Sequence, residues 1–269
     1  MPKYNYDLPP HKVEHAHLKL RILRVDEKAQ RVLNESRAAN LSKNFIPEAA
    51  GTLVVSRRGR QYYIVDGAHR NEAGKMRGIE SLPCEIHHGL TVAQEAQLFL
   101  LKNREGTKPS AADEYKVGLT AELPIYVDTK AVLDDHGLEV ASSPSANQIA
   151  AISGVISIVD RWGEDVLDRV LTIAEGAWGR EARSWDGTLL GGLGRFIGLH
   201  GDDINDRQLM EKIMLKGGAA TWLRTAIDGA TLAGQQHAGG GGRTAAMYRA
   251  LVRVWNANRR SGRIKVDAA

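Results

Sequence analysis

Hydrophobic and polar residues alternate with two different periodicities over the first hundred residues, one typical of strands and one typical of helices. Short runs rich in β-branched and aromatic residues predict strands, and stretches of helical periodicity lie between them. Thr91 and Gln94 have the spacing of a capping box ahead of an apolar stripe, which marks the start of a helix. The predicted strands cover 19–25, 52–56, 61–66 and 82–87, and the predicted helices cover 29–41, 69–77 and 91–105. This alternation predicts a small α+β domain.

The pattern changes near residue 108. Lys108-Pro109-Ser110 interrupts one helical pattern and begins another. Apolar residues then recur at helical spacing almost to the end of the chain. Two stretches of this spacing cover 149–159 and, after Gly163, 166–171. Further helices are predicted over 128–136, 186–199, 205–215, 217–228 and 244–259. The sequence therefore predicts an α+β domain over 1–108 and an all-α domain over 109–269.

One strand-to-helix turn carries candidate chemistry. The predicted strand at 61–66 ends in Asp66, and Gly67 provides the turn into a helix. His69 and Arg70 then lie in the first helical turn, where unpaired backbone N–H groups and the positive end of the helix dipole favour an anion. This arrangement predicts a phosphate site.

Residues 62–86 resemble the ParB/sulfiredoxin superfamily. Its partition-type members carry Gly-Glu-Arg-Arg-x-x-Ala, then a Gly and an Ile-Pro strand, and this chain has matching residues without a gap. The Asp-Gly-x-His-Arg form is most similar to phage and actinobacterial ParB-like proteins, which are usually labelled nuclease-like. Gln30-Arg31 is similar to the Gln-Arg or Gln-Pro-Arg element that follows the first strand in this superfamily. Asn103-Arg104 is similar to a shortened form of its Asn-x-x-Arg-type box at the end of a helix. The matching residues of the central motif are Gly67, Arg70, Ala73, Gly78 and Pro83.

The resemblance implies a pocket for a nucleoside triphosphate such as CTP or ATP, with Mg²⁺. Asp66 and His69 would be catalytic, and Asp66 would also hold the metal. The nucleotide or its phosphates would contact Gln30, Arg31, Gly67, Ala68, His69, Arg70, Asn103 and Arg104. The alternative is structural: Asp66 caps the helix, and Arg70 pairs with an acidic neighbour such as Glu105.

The chain departs from the superfamily at two positions of this motif. Ala68 stands where sulfiredoxins have their catalytic cysteine, and Cys84, the only cysteine, lies in the next predicted strand. Sulfinic-acid reduction is therefore excluded, because its nucleophile is missing. Ala68-His69 also replaces the Glu-Arg of partition-type members, so the preferred base stays open.

Charge is distributed unevenly along the chain. Residues 1–108 carry 18 basic and 12 acidic side chains, residues 109–242 carry 11 and 19, and residues 243–269 carry 7 and 1. Basic segments favour nucleic-acid phosphates, although an ordinary solvated surface is the alternative. The predicted DNA contacts are in the basic tail, at Arg249, Arg253, Arg259, Arg260 and Arg263. Arg249, Arg253 and Arg260 are expected close to one face of a helix.

Other motifs in the second half are weaker. A helix-turn-helix over Val127 to Asp160 would have its second helix at Ala146 to Val159. It would need a connection from His136 to Ser145, which is longer than the usual turn. The glycine run at 239–242 departs from the Walker pattern and favours a flexible hinge. The five tryptophans all lie beyond residue 160, and their helical spacing favours core packing.

Composition is typical of a protein of the reducing cytoplasm. One cysteine excludes an intrachain disulfide, and no apolar run has the roughly 20 residues of a membrane span. The first residues lack the apolar segment of a signal peptide. We therefore expect a cytoplasmic protein without a membrane partner.

Three functions follow from these observations. The first is a nucleotide-responsive, ParB-like DNA-binding protein that acts in DNA partition or regulation, with homodimerisation as a further expectation. The second is a metal-dependent ParB-like nuclease, which usually needs more carboxylates than Asp66 provides. The third is an interaction module with a vestigial pocket. The pattern does not decide whether a bound CTP or ATP is hydrolysed.

Overall fold

The computed structural model describes residues 6, 8–103, 110–234 and 239–266. Contacts divide the chain into two compact units, Met1–Leu123 and Pro124–Ala269. The sequence placed its boundary earlier, at residue 108. The helix at Ala111–Thr120 belongs to the first unit because the buried Gln97 side chain donates a hydrogen bond to the carbonyl of Ala121 at 3.2 Å.

A five-stranded mixed sheet forms the centre of the first unit. Its strands are β1 Val13–Lys19, β2 Leu23–Arg24, β3 Leu53–Arg58, β4 Gln61–Asp66 and β5 Ser81–His88. Their order in the sheet is β1-β5-β3-β4-β2. The β1–β5 and β3–β4 pairs are antiparallel, whereas β3–β5 and β2–β4 are parallel.

The edge strand β1 is the main departure from the predicted sheet. Its side chains are mostly exposed, so the apolar alternation that marks a half-buried strand is weak there. The predicted strand at 19–25 is instead a 3₁₀ turn at Leu20–Ile22 followed by the short β2. Leu20 is buried in that turn, which explains the apolar signal.

Four α-helices complete the first unit. They are α1 Glu35–Lys43, α2 Ala68–Met76, α3 Val92–Lys102 and α4 Ala111–Thr120. Residues of α1, α2 and α3 lie near the C-terminal end of β4. α1 begins later than predicted because Asn34 is its N-cap and accepts a hydrogen bond from the N–H of Arg37. The capping box at Thr91 and Gln94 is confirmed.

The core of the first unit lies between the sheet and these helices. Its buried members include Leu53, Ile64, Leu82 and Ile86 from the strands. A buried ion pair fixes α3 against the sheet: Arg58 contacts both carboxylate oxygens of Glu95, which is 2% exposed. This packing brings Phe99 of α3 to the end of β4.

The second unit is helical except for two short strands. β6 Glu139–Val140 and β7 Gln148–Ile149 pair in parallel between the first two helices, so the all-α prediction is wrong in this detail. Ala141 N–H donates to Ile149 O at 3.0 Å, which extends the pairing. The helices are α5 Pro124–Asp135, α6 Ile152–Trp162, α7 Glu164–Trp178, α8 Gly187–His200, α9 Asp206–Lys216, α10 Ala219–Leu232 and α11 Gly239–Asn256.

Two expectations for the second unit change with this structure. The strand pair separates α5 from α6, and residues 146–151 precede α6 instead of forming part of it, so the helix-turn-helix geometry is not present there. The glycine run at 239–242 forms the first turn of α11, which corrects the prediction of a hinge.

Core packing is confirmed for three of the five tryptophans, whereas Trp162 and Trp178 are partly buried. Trp185, Trp222 and Trp255 are fully buried, and the rings of Trp178 and Trp222 meet edge to face at 6.3 Å. Within the described residues, no helix is both long and apolar enough to cross a membrane.

Candidate functional site

The turn between β4 and α2 requires glycine. Gly67 has φ 101°, a left-handed conformation in which a side chain is strained. A Cβ on Gly67 would also collide with Cδ2 of Leu53 and approach Nη2 of Arg70 to 3.0 Å. The predicted turn is therefore present, and Gly67 is the N-cap of α2.

The N-terminus of α2 provides backbone donors. The first intrahelical bond of this turn runs from the N–H of Asn71 to the carbonyl of Gly67 at 2.9 Å. By helix geometry, the N–H groups of Ala68, His69 and Arg70 precede that bond and remain available to an acceptor. Together with the helix dipole they favour an anion.

A cavity of about 490 Å³ lies in front of this helix end. Seven residues predicted for the site line it: Gln30, Arg31, Asp66, Gly67, Ala68, His69 and Arg70. Four residues that the prediction did not include line it as well: Arg37, Asn40, Leu41 and Phe99. The cavity thus joins the segment at 30–31, the N-terminus of α2, the α1 helix and the middle of α3.

Arg70 holds the walls of the cavity together. Its Nη1 donates to the carbonyls of Ala50 at 2.7 Å and Thr52 at 3.2 Å, and its Nη2 donates to Asp66 at 2.7 Å. These bonds tie the start of β3 to the end of β4. The acidic partner is Asp66, whereas Glu105, the partner considered from the sequence, lies outside the described residues.

His69 is oriented by the backbone of the neighbouring segment. The N–H of Asn34 donates to Nε2 of His69 at 3.2 Å, so the neutral ring carries its proton on Nδ1. Burial lowers the pKa of His69, and the positive charges of Arg31 and Arg37 lower it further. The neutral ring is suited to donating a hydrogen bond from Nδ1, while the protonated form needed for a general acid is disfavoured.

Gln30 is engaged by the main chain. The side chain is buried, and Nε2 donates to the carbonyls of Ile64 at 2.8 Å and Val65 at 2.7 Å. Gln30 therefore fixes the segment beside β4, and it also lines the cavity. Its predicted contact with a nucleotide stays a prediction. Arg31, the next residue, faces the cavity.

The predicted pair at 103–104 does not reach the cavity in the described residues. Asn103 is buried and donates from Nδ2 to the carbonyl of Phe99 at 2.8 Å, which caps the end of α3. Arg104 lies outside the described residues. The residue of this helix that lines the cavity is Phe99.

Arg37 and Asn40 were missed because nothing in their local sequence marks them. They lie three residues apart on α1, so both fall on one face of that helix. The spacing was visible in the sequence, but the packing of α1 beside α2 was not. Arg31 and Arg37 bring two positive charges to the cavity.

Asp66 is the only acidic residue among those that line the cavity, and its Oδ2 is bound by Arg70. Within the described residues, no group of three or more His, Cys, Asp or Glu side chains is placed to hold a metal ion. The assignments of Asp66 as metal ligand and of Asp66 and His69 as catalytic residues stay predictions.

The basic tail is arranged differently from the prediction. α11 ends at Asn256, so Arg260 does not continue the helical face of Arg249 and Arg253. Arg259 stacks on the ring of Trp255 at 3.6 Å and contacts Gln208, which makes it part of the packing of the second unit. The exposed arginines of the predicted set are Arg253, Arg260 and Arg263.

Solved structures similar to this chain include ParB proteins. The C-terminally truncated chromosome-partitioning protein ParB from Caulobacter crescentus complexed to the centromeric parS site is 18% identical, and the match covers 74% of this chain and 91% of that one, with a TM-score of 0.36. For the same truncated protein complexed with CTP-gamma-S, the identity is 13%, the coverages are 75% and 99%, and the TM-score is 0.29. A Pnob8-like ParB-N domain is 14% identical, and the match covers 77% of this chain and 100% of that one, with a TM-score of 0.41.

No curated protein matches the chain. A family model matches residues 25–236, which include most of both units. On this match, the chain belongs to the family of unknown function DUF6551.

Proposed function

We propose that this protein is a nucleotide-responsive, ParB-like DNA-binding protein whose first unit binds the phosphate chain of a nucleoside triphosphate. One observation carries the proposal: the N-terminus of α2, the Arg31 side chain and the Arg37 side chain meet at one cavity. The resemblance of residues 62–86 to the ParB/sulfiredoxin superfamily supports the same ligand. Action in DNA partition or regulation, and a phage or actinobacterial type of ParB-like protein, are part of this proposal.

The chemistry of the cavity suits phosphate oxygens. Backbone N–H groups at residues 68–70 supply neutral donors, and Nδ1 of His69 supplies another. Arg31 forms no ion pair with a described residue, so its guanidinium can bind an oxyanion without losing an acidic partner. Arg70 contributes indirectly, because it keeps the Asp66 carboxylate bound to a cation and fixes the turn.

Size and apolar lining support a nucleotide over inorganic phosphate. A volume of 490 Å³ falls within the roughly 300–1,000 Å³ of small-molecule sites. Leu41 and Phe99 give the cavity an apolar wall against which a base or ribose can pack. We propose CTP or ATP as the ligand, and the lining residues do not select between these bases.

The described residues that line this cavity do not form a dedicated Mg²⁺ site. Asp66 could supply one oxygen, but the guanidinium of Arg70 lies 2.7 Å from its other oxygen and would repel a cation. Mg²⁺ in nucleotide sites is often held mainly by phosphates and water. We therefore propose Mg²⁺ only as an ion that the triphosphate brings with it. For the same reason, the single lining carboxylate gives the nuclease alternative no support.

DNA is the proposed partner of the second unit. Arg253, Arg260 and Arg263 are exposed at the end of α11 and beyond it, and Lys265 adds a further exposed positive charge. Positive side chains at this density favour phosphate backbones in a salt-dependent way. Nucleotide binding in the first unit would then regulate DNA binding or dimerisation.

Titration calorimetry with the four ribonucleoside triphosphates, with and without Mg²⁺, tests the nucleotide site. We expect wild type to bind at least one of them and Arg31→Gln to bind about tenfold more weakly, since one charge-assisted interaction is lost. Arg60→Gln is the matched control, because Arg60 is exposed in the same unit and does not line the cavity. Equal affinity in both variants, or no binding to wild type, would contradict the proposal.

A further inference from the structure

A second cavity, of about 280 Å³, lies entirely within the helical unit. It opens between α6, α8 and the first turns of α11. Arg161 and Trp162 reach it from the end of α6, Arg195 from α8 and Thr244 from α11. No function proposed for the first unit uses this cavity.

The lining of the second cavity is basic and rich in donors. It contains two arginines, Arg161 and Arg195, and the hydroxyl groups of Ser157 and Thr244. None of the described residues that line it is acidic. This is notable because residues 109–242 carry 19 acidic and only 11 basic side chains. The lining of the cavity is therefore positively charged, although this part of the chain has a net negative charge. A positive cavity in an acidic region is expected of an anion site and not of an average surface.

Both arginines are positioned without an acidic partner. Neither Arg161 nor Arg195 forms an ion pair in the part of the chain that the structure describes. Arg195 stacks on the ring of Tyr248 at 4.6 Å, which limits the orientations of its guanidinium. Asp186, the acidic residue next to the lining Gly187, accepts a hydrogen bond from the N–H of Thr188 at 2.7 Å as the N-cap of α8. Two positive groups thus remain for a ligand.

Close packing of α8 against α11 places the Thr244 side chain at the second cavity. A Cβ on Gly191 would lie 3.0 Å from Cγ2 of Thr244, so only glycine allows the two helices to approach without displacement. The N-terminal end of α11, where Gly241 lines the cavity, adds the positive end of a helix dipole. The glycine run that did not fit a Walker loop therefore lies beside two arginines.

We propose that this second cavity binds a phosphate group, with Arg161 and Arg195 as its cationic ligands and Ser157 and Thr244 as hydroxyl donors. At 280 Å³ the cavity lies at the lower limit of small-molecule sites, which suits a phosphate with a small substituent better than a whole nucleotide. The phosphate comes either from a DNA backbone or from a free phosphate monoester. The site does not depend on the nucleotide cavity of the first unit.

NMR titration with inorganic phosphate tests the site directly. The reporter is the indole N–H signal of Trp162, assigned through its loss in Trp162→Phe. The titration is done on the Arg31→Gln protein, so that phosphate binding in the first cavity is weakened, and the Trp162 signal reports on the second cavity alone. We expect a saturable shift of this signal, and about tenfold weaker binding when Arg161→Gln is added.

The matched control is Arg224→Gln, because Arg224 is an exposed arginine of α10 outside the cavity. We expect it to leave phosphate binding unchanged. Thr244→Val provides a second variant that keeps both charges and removes one donor. No saturable shift of the Trp162 signal, or equal affinity in Arg161→Gln and Arg224→Gln, would overturn the proposal.

Two further ligands identify the source of the phosphate. If the source is DNA, Arg161→Gln weakens binding of a 20-base-pair duplex and reduces the slope of log affinity against log salt by about one, whereas Arg224→Gln does not. If the source is a free monoester, ribose 5-phosphate shifts the Trp162 signal and duplex binding is unaffected by Arg161→Gln. A protein that binds neither ligand through Arg161 would contradict the site.

Discussion

The Asp-Gly-x-His-Arg turn and the segment from Gln30 to Asn40 line the same cavity but contribute to it differently. The turn has the clearest motif, yet its Arg70 is engaged by Asp66 and two backbone carbonyls. The other segment has no clear motif, yet its Arg31 and Arg37 bring positive charge to the cavity. In this molecule the recognisable motif builds the frame of the cavity, meaning the Gly67 turn and the Arg70 hydrogen bonds, whereas Arg31 and Arg37 bring to its lining the positive charges that an anion would meet.

Gly67→Ala should produce the largest effect, because it breaks the frame. The left-handed backbone and the collision with Leu53 should lower the free energy of unfolding by about 2–3 kcal/mol. Gly59→Ala is the control, since Gly59 has φ 59° but nothing within 4 Å of an added Cβ. It should cost about 1 kcal/mol. Urea denaturation measures both, and equal losses would show that the collision at Gly67 is relieved.

Arg70→Ala should lower stability by about 1–2 kcal/mol, because it removes hydrogen bonds to Ala50, Thr52 and Asp66. The estimate is kept low because the side chain is about one quarter exposed. Arg70→Lys keeps the charge but loses the forked geometry, so it should recover only part of the loss. If Arg70→Ala weakened nucleotide binding without changing the unfolding midpoint, Arg70 would be a ligand and not part of the frame.

Unlike Arg70→Ala, Arg31→Gln should weaken nucleotide binding and leave stability almost unchanged. Stability should change by no more than about 0.5 kcal/mol, as for most surface substitutions, while nucleotide affinity falls about tenfold. Calorimetry and thermal unfolding on the same preparation measure both quantities. A large loss of stability with unchanged affinity would reverse the division between frame and ligand contacts.

The smallest expected effect is a pH dependence of anion binding through His69. Burial and the charges of Arg31 and Arg37 lower its pKa, so the empty cavity disfavours the protonated ring. A bound anion offsets that repulsion and raises the pKa of His69, which means that anion binding is accompanied by proton uptake. Binding of sulfate, which does not titrate in this range, should therefore tighten a few-fold as pH falls from about 7.5 to about 5.5.

His69→Gln separates this effect from other titrating groups. Its sulfate affinity should vary less with pH than that of wild type over the same range, when both are measured by calorimetry. Wild-type sulfate binding that weakens as the pH falls would contradict the assigned sign.

The comparison also shows what the sequence could predict. Asp66-Gly67 at the end of a β-rich run predicted the strand, the turn and the start of α2, because turn chemistry and periodicity are local. The capping box at Thr91 and Gln94 predicted the start of α3 for the same reason. The edge strand β1 was missed, since its exposed side chains do not show the alternation of a buried face.

Roles that depend on tertiary contacts could not be predicted. Gln30 was predicted as a nucleotide contact, and the sequence did not show that its amide also donates to carbonyls of β4, which lie 34 and 35 residues away in the chain. Arg259 was predicted as a DNA contact, and the sequence did not show that its guanidinium stacks on Trp255. Asn40 lines the cavity because α1 packs beside α2. In each case the sequence showed the type of residue, whereas packing between distant segments determined which groups that residue contacts.

The most direct test of the central claim is a nucleotide titration followed through backbone amide signals by NMR. CTP or ATP with Mg²⁺ should produce the largest shifts at the amides of Ala68, His69 and Arg70, since these N–H groups would bind phosphate. The shifts should need higher nucleotide concentrations in Arg31→Gln but not in Arg60→Gln. Absence of shifts at these three amides at saturating concentrations of all four ribonucleoside triphosphates would contradict the account.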